Sequence, residues 1–131
     1  DGTILIAGGY TESGGQKTVL STGLIVSLTA KTATEIPLLK TARYGATVTT
    51  AGNEFVICGG FDATATDKPL GDCEAFKLDT AMSSRDPIPL PTPRGGHLAL
   101  TLENGLTLLV GGVGPTGTLA SIDMYSSLPS Q

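Results

Sequence analysis

His97 is the only histidine in the sequence, and imidazole is the side chain most ready to hold a metal or move a proton near neutral pH. A metal centre built on it needs cysteine or carboxylate companions at ligand spacing, and the residues around it supply none. A relay of His97, Asp86 and Ser84 can be drawn on paper, but nothing near Ser84 resembles the sharp strand-to-helix turn that exposes a nucleophilic serine. Asp62, Asp67, Asp72 and Glu74 make a weak acidic cluster whose spacing misses the EF-hand pattern, so a solvated loop is the simpler reading. No catalytic, cofactor-binding or metal-binding residue is therefore assigned. His97 is expected at the start of a strand, bonding backbone.

The stronger signals are repeated ones. Apolar runs end in paired glycines three times, as Ala7-Gly8-Gly9-Tyr10, Cys58-Gly59-Gly60-Phe61 and Val110-Gly111-Gly112-Val113. Between them Thr41-Ala42-Arg43-Tyr44-Gly45-Ala46 matches Thr92-Pro93-Arg94-Gly95-Gly96-His97, with the arginines 51 residues apart. Paired glycines allow a positive φ and a close approach of backbones. A phosphate-binding loop would need a helix directly after the glycines, and none is expected. Arg43 and Arg94 are expected to form hydrogen-bond forks, onto backbone carbonyls or onto a carboxylate of the next unit. Gly8, Gly9, Gly59, Gly60, Gly111, Gly112, Arg43 and Arg94 are thus read as structural anchors of a repeat.

The elements that position these residues follow from the same register. Residues 46–50 and 55–58 read as a hairpin closed at Gly52-Asn53, and residues 98–102 and 106–110 as its counterpart closed at Asn104-Gly105. Asp1-Gly2 holds the equivalent turn position. Third strands are expected at residues 24–28, 74–78 and 121–125, and short fourth strands around 35–38 and 86–90, where prolines limit length. Variable, polar loops are expected at residues 11–20 and 62–71, the places most open to partner contacts. Cys58 ends an inner strand and Cys73 begins the next one, so a disulfide between them is geometrically open. Cys58 also reads as an ordinary buried thiol, because Ala7 and Val110 hold the corresponding place. The compartment stays open.

Composition sets the bounds. The chain has 131 residues, of which 40% are hydrophobic and 15% charged, with a formal charge of −4. That is one domain's worth of chain, too apolar for a typical disordered segment. No apolar run approaches the length of a membrane helix, and the acidic balance argues against a nucleic acid partner. A period near 50 residues is that of four-stranded propeller blades.

On these residues the sequence resembles the Kelch-repeat β-propellers of the galactose-oxidase-like superfamily. Such repeats carry an apolar strand ending in Gly-Gly, a tyrosine strand similar to Asp123-Met124-Tyr125, and an Arg-x-x-His-like segment, which Arg94-Gly95-Gly96-His97 matches in full. The sequence departs from the family in lacking tryptophan and in placing Phe76 where the tyrosine usually stands. The resemblance implies an all-β fold of four-stranded antiparallel blades in one partial propeller domain, residues 1–131. Its units span approximately 1–42, 43–93 and 94–131. About two and a half blades leave the ring incomplete in this chain. The rest is expected from a larger polypeptide or from other chains, with a short free-standing array as the remaining option. The expected function is a non-catalytic interaction or structural module with a protein partner, the remaining blades, and with no membrane partner. The alternative is a fragment of an oxidase-like propeller enzyme or carbohydrate-binding protein whose active residues lie elsewhere. Tyr10, Tyr44, Phe61 and His97 are candidates for a binding face; the simpler reading of the first three is that they cap the blade core.

Overall fold

The computed structural model describes residues 2–64, 67–77 and 86–126. Among these residues every regular element is a strand. The first group is β1 (Thr3–Ala7), β2 (Tyr10–Ser13), β3 (Gln16–Val19), β4 (Thr22–Ser27) and β5 (Thr32–Pro37). The second is β6 (Thr47–Ala51), β7 (Glu54–Cys58), β8 (Asp72–Lys77) and β9 (Ile88–Pro89). The third is β10 (Leu98–Thr101), β11 (Leu106–Val110), β12 (Val113–Gly114), β13 (Gly117–Thr118) and β14 (Ile122–Ser126). They form antiparallel sheets in the orders β1-β4-β5, β6-β7-β8-β9 and β10-β11-β14, with β2-β3 and β12-β13 as separate hairpins. The chain is therefore all-β, built from several small antiparallel sheets.

Local sequence explains these elements. Thr47, Val48, Thr49 and Thr50 are β-branched and suit a pleated strand. Gly52, at φ 60°, turns the chain into β7. Pro37 and Pro89 end β5 and β9, the outermost strands of their sheets, where a missing N–H costs no ladder bond.

The three sheets share one register. Ala7 pairs with Gly23, Cys58 with Cys73, and Val110 with Ile122. The hydrogen bonds after each glycine pair recur as well. Gly8, Gly59 and Gly111 donate to the carbonyls of Thr22, Asp72 and Ser121, and Gly9, Gly60 and Gly112 accept from Leu20, Leu70 and Leu119.

Two apolar clusters join successive sheets. Leu38, Leu39, Phe55, Ile57 and Phe76 are buried together, with Leu5, Ala7, Ile36 and Ala46 packed against them. Val56, Cys58, Cys73, Ala75, Leu90, Leu109 and Tyr125 form the other cluster, with Ile88 and Ala99 at its margin. Phe55 and Ile57 thus face the first sheet, while Val56 and Cys58 face the third. A strand covered on both sides has no polar face to present, which is why the run from Phe55 to Cys58 is apolar throughout. Phe55 and Phe76, directly paired across β7 and β8, stack with ring centroids 5.6 Å apart.

Several expectations change. Residues 11–20 are not a loop; most of the segment belongs to the β2-β3 hairpin, turned at Gly14-Gly15. Both faces of this hairpin are exposed, so its sequence lacks the apolar alternation that marks a half-buried strand. The segment at 62–71 is narrowed by a single bridge between Phe61 and Pro69. Third strands start one or two residues away from their expected bounds, and β5 runs the full six residues Thr32–Pro37. The expected end at Leu78, the Asp1 turn position and Ser84 lie outside the described residues.

Cys58 and Cys73 are joined in a disulfide. By register their counterparts are Ala7 and Gly23 in the first sheet and Val110 and Ile122 in the third. The bond bridges neighbouring strands and spans 15 residues of chain. Closing a loop of that size restricts the unfolded chain by roughly 3 kcal/mol. Reduction is expected to lower the urea midpoint by a corresponding amount, read from denaturation curves with and without dithiothreitol. An unchanged midpoint would show that the bond adds nothing.

Candidate functional site

The two arginines carry the most developed polar geometry in the molecule, and both are fully buried. In Arg43, Nη1 donates to the Gly59 carbonyl at 3.0 Å and the Asp72 carbonyl at 3.3 Å. Its Nη2 meets Glu74 Oε1 at 2.6 Å and the Asp72 carboxylate at 3.3 Å. Arg94 repeats the pattern one sheet further on. Its Nη1 donates to Gly111 at 2.8 Å and Ser121 at 3.3 Å, while Nη2 meets Ser121 Oγ at 3.2 Å and Asp123 at 2.8 Å.

The carboxylates have a second task. Glu74 accepts from the backbone N–H groups of Lys40 and Thr41, at 2.8 and 3.1 Å, and Asp123 accepts from Thr92 at 3.2 Å. Each acid therefore holds both the arginine and the backbone leading to it. A planar five-donor guanidinium fits such a mixture of carbonyls and carboxylate, where a lysine would not. Burial in this form is tolerable because the charge is paired and most donors are used. Arg94 Nε alone lacks a protein partner within its otherwise equivalent fork.

The glycine pairs receive the same segments. Gly9 N–H donates to the Arg43 carbonyl at 2.8 Å and Gly60 N–H to the Arg94 carbonyl at 2.9 Å. Gly96 N–H donates to the Gly45 carbonyl at 2.8 Å, tying the entrance of β10 to that of β6. Each arginine segment is therefore held by the sheet before it and the sheet it leads into.

Tyr10, Tyr44 and Phe61 come together on the loop side. Tyr10 and Tyr44 meet edge to face with centroids 5.2 Å apart, and Tyr44 and Phe61 lie 5.3 Å apart. None of the three belongs to either apolar core cluster. Lys17, reaching over from the β2-β3 hairpin, lies 4.3 Å from the Tyr44 ring centroid and pairs with Asp67. That hydrogen bond to Asp67, with a second to the Tyr44 hydroxyl, raises the Lys17 pKa and lowers that of Asp67. Asp62 instead accepts from Thr64 and Lys68, and the Thr64 hydroxyl lowers its pKa. The four acids of the cluster thus divide among three settings: Asp62 on Thr64 and Lys68, Asp67 on Lys17, and Asp72 with Glu74 on Arg43. Among the described residues no group of three or more His, Cys, Asp or Glu side chains could hold a metal ion.

His97 does not join the aromatic group. It is buried between β6 and β10, with Nε2 2.8 Å from Thr47 Oγ1 rather than on backbone, and Nδ1 has no partner. Desolvation, then the charge of Arg94, lowers its pKa from 6.5 to about 4. Between these values the unfolded chain takes up the proton that folded His97 refuses, so stability rises with pH through this window and is complete above it. Melts of wild type and His97→Gln between pH 4 and 7 are expected to diverge on the acid side. Parallel curves would remove His97 as the cause.

No protein-family model matches this sequence, and no curated protein does.

Sequence reasoning found both arginines but missed Glu74 and Asp123 as their ion-pair partners. They stand 31 and 29 residues downstream. The available signal was their register position: Glu74 pairs with Ile57 and Asp123 with Leu109, equivalent places in the repeat.

Proposed function

We propose that this chain is a non-catalytic structural and interaction module of Kelch type, made of successive blades of a β-propeller and completed by further blades from polypeptide outside these residues. The observation that carries the reading is the identity of the two joints. Arg43 with Glu74 and Arg94 with Asp123 fix consecutive sheets in the same way, so the arrangement extends by repetition.

The outer faces of the stack support it. The first sheet turns Ile4 and Ile6 outward, and Ile6 is 52% exposed. The third turns out Leu98, Leu100, Ile122 and Met124, with Leu98 and Met124 each 67% exposed. Positions equivalent to four of these are buried where the central sheet has neighbours: Phe55 and Ile57 match Ile4 and Ile6, and Cys73 and Ala75 match Ile122 and Met124. A contiguous exposed apolar face of this kind marks an interaction surface.

The double variant Leu100→Glu with Met124→Glu tests whether this face is free for a partner. Binding of a hydrophobic dye is expected to fall several-fold while folding stability changes by less than about 1 kcal/mol, as for surface substitutions. A collapse in stability would mean the two side chains belong to a finished core. A stoichiometric metal in the isolated protein would favour the propeller-enzyme alternative instead.

A further inference from the structure

The aromatic side chains outside the core clusters do not repeat as the glycine pairs and arginines do. At the first joint Tyr10 follows Gly8-Gly9 and Tyr44 follows Arg43. At the second the same places hold Phe61 and Gly95, and Val113 follows the third glycine pair. There the Phe61 ring lies over Gly95, where a β-carbon would stand 2.5 Å from the ring atoms. A ring from each of these two places is therefore present only at the first joint. A feature that the stacking of sheets required would stand at both.

Tyr10 and Tyr44 form a corner. Their planes meet at 72° with centroids 5.2 Å apart, and Tyr10 is 50% exposed. Lys17 Nζ occupies that corner, 5.6 Å from the Tyr10 centroid and 4.3 Å from that of Tyr44. It donates to the Tyr44 hydroxyl at 3.0 Å and pairs with Asp67. Two ring faces at a steep angle, with a carboxylate on a further side, attract an ammonium group.

The carboxylate is held and the lysine is not. Asp62 closes the loop that bears Asp67 by accepting the N–H groups of Thr64 and Lys68 at 2.9 and 3.2 Å. Asp67 itself takes a φ of 48°, and its N–H donates to the Thr64 carbonyl at 3.1 Å. Lys17 comes from the β2-β3 hairpin, exposed on both faces. Its side chain and that of Asp67 are 31% and 44% exposed, so water screens the pair and parting it costs little. Glu12 stands directly opposite Lys17 in the hairpin register, a second carboxylate for a lysine that leaves the corner.

We infer that Tyr10, Tyr44 and Asp67 form a binding site for an organic ammonium group, with quaternary ammonium as its ligand and Lys17 as a tethered occupant that the ligand displaces. A quaternary ammonium has no N–H to satisfy, so ring faces and one carboxylate supply what it needs. The site takes no part in the arginine joints and does not depend on whether further blades exist.

The test titrates tetramethylammonium, choline and acetylated trimethyllysine amide into the intact, disulfide-bonded chain. Nuclear magnetic resonance follows the ring protons of Tyr10 and Tyr44 and the Cε protons of Lys17. Saturable shifts of both rings are expected, with the Lys17 signal moving toward that of a free lysine. Lys17→Ala is expected to bind about fivefold more tightly, its competitor gone, and Tyr10→Leu about fivefold more weakly. Tyr10 is exposed enough for that variant to fold, which circular dichroism checks. The uncharged tert-butyl isostere of choline is expected not to bind. Tighter choline marks a free head group as the source, and tighter trimethyllysine a methylated protein segment; both uphold the site. No ring shift in Lys17→Ala, equal binding of the uncharged isostere, or affinity indifferent to Tyr10→Leu would overturn it.

Discussion

Arg43→Ala is expected to cost about 3–5 kcal/mol of folding stability, the range found when one partner of a buried ion pair is removed. The side chain is fully buried and Glu74 is 3% exposed, so the carboxylate left behind would lie in a site closed to water. Two carbonyls, those of Gly59 and Asp72, lose a donor at the same time. Against a total stability of typically 5–15 kcal/mol for a domain, this is a large fraction. Glu74 retains backbone bonds from Lys40 and Thr41, which softens the loss without replacing a cation. Arg43→Lys is expected to recover only part of it, because one ammonium cannot span carbonyls and carboxylate as the planar fork does. Urea denaturation of the three proteins checks this. A loss under about 1 kcal/mol for Arg43→Ala, in the range of an exposed pair, would show that the fork does not join the sheets.

Gly59→Ala should be almost as damaging, for an unrelated reason. Gly59 sits at φ 59°, where an alanine is strained, and an added methyl carbon would overlap the Arg94 carbonyl oxygen while standing 2.9 Å from the His97 ring. That oxygen cannot retreat freely, because it accepts the Gly60 N–H at 2.9 Å. Backbone strain of roughly 1–2 kcal/mol is joined by the loss of a buried hydrogen bond, for a total of about 3 kcal/mol. Gly52→Ala is the control. Gly52 has a similar φ of 60° with nothing within 4 Å of the added carbon, so only the conformational cost of about 1 kcal/mol applies. The difference between the two denaturation midpoints isolates the contact between sheets. Equal losses would mean that Gly59 is required only for its turn.

The sequence displayed its strands and anchors unevenly. β7, covered on both faces, announced itself as an apolar run, β11 did so with one face still open, and the paired glycines marked their ends. The β2-β3 hairpin was hidden because it lies on no core. Thr11, Glu12, Lys17 and Thr18 pair across two exposed faces, so hydrophobic periodicity has nothing to report. The arginines were visible through their spacing, but their acids sit on the third strands, where loops of unequal length blur the period. The segment from Gly60 to Asp72 is longer than that from Gly112 to Ser121. The cysteine pair shows the same effect. The ladder aligns Cys73 with Gly23 and Ile122, places that equal spacing along the chain does not give. Gly23 leaves room there for Leu38, whose Cδ2 would stand 2.6 Å from an added carbon. The aromatic trio was legible as three positions flanking the anchors. Its closure by Lys17 and Asp67 was not, since that ion pair crosses 50 residues of sequence.

The native mass of the protein as isolated from its source, measured with its disulfide intact, bears most directly on whether these sheets stand alone. A particle well above 13.3 kDa is expected, with the added mass in chain that covers the outward faces of the first and third sheets. A monodisperse 13.3 kDa species that stays single at high concentration, with Leu98, Leu100, Ile122 and Met124 still facing water, would contradict it.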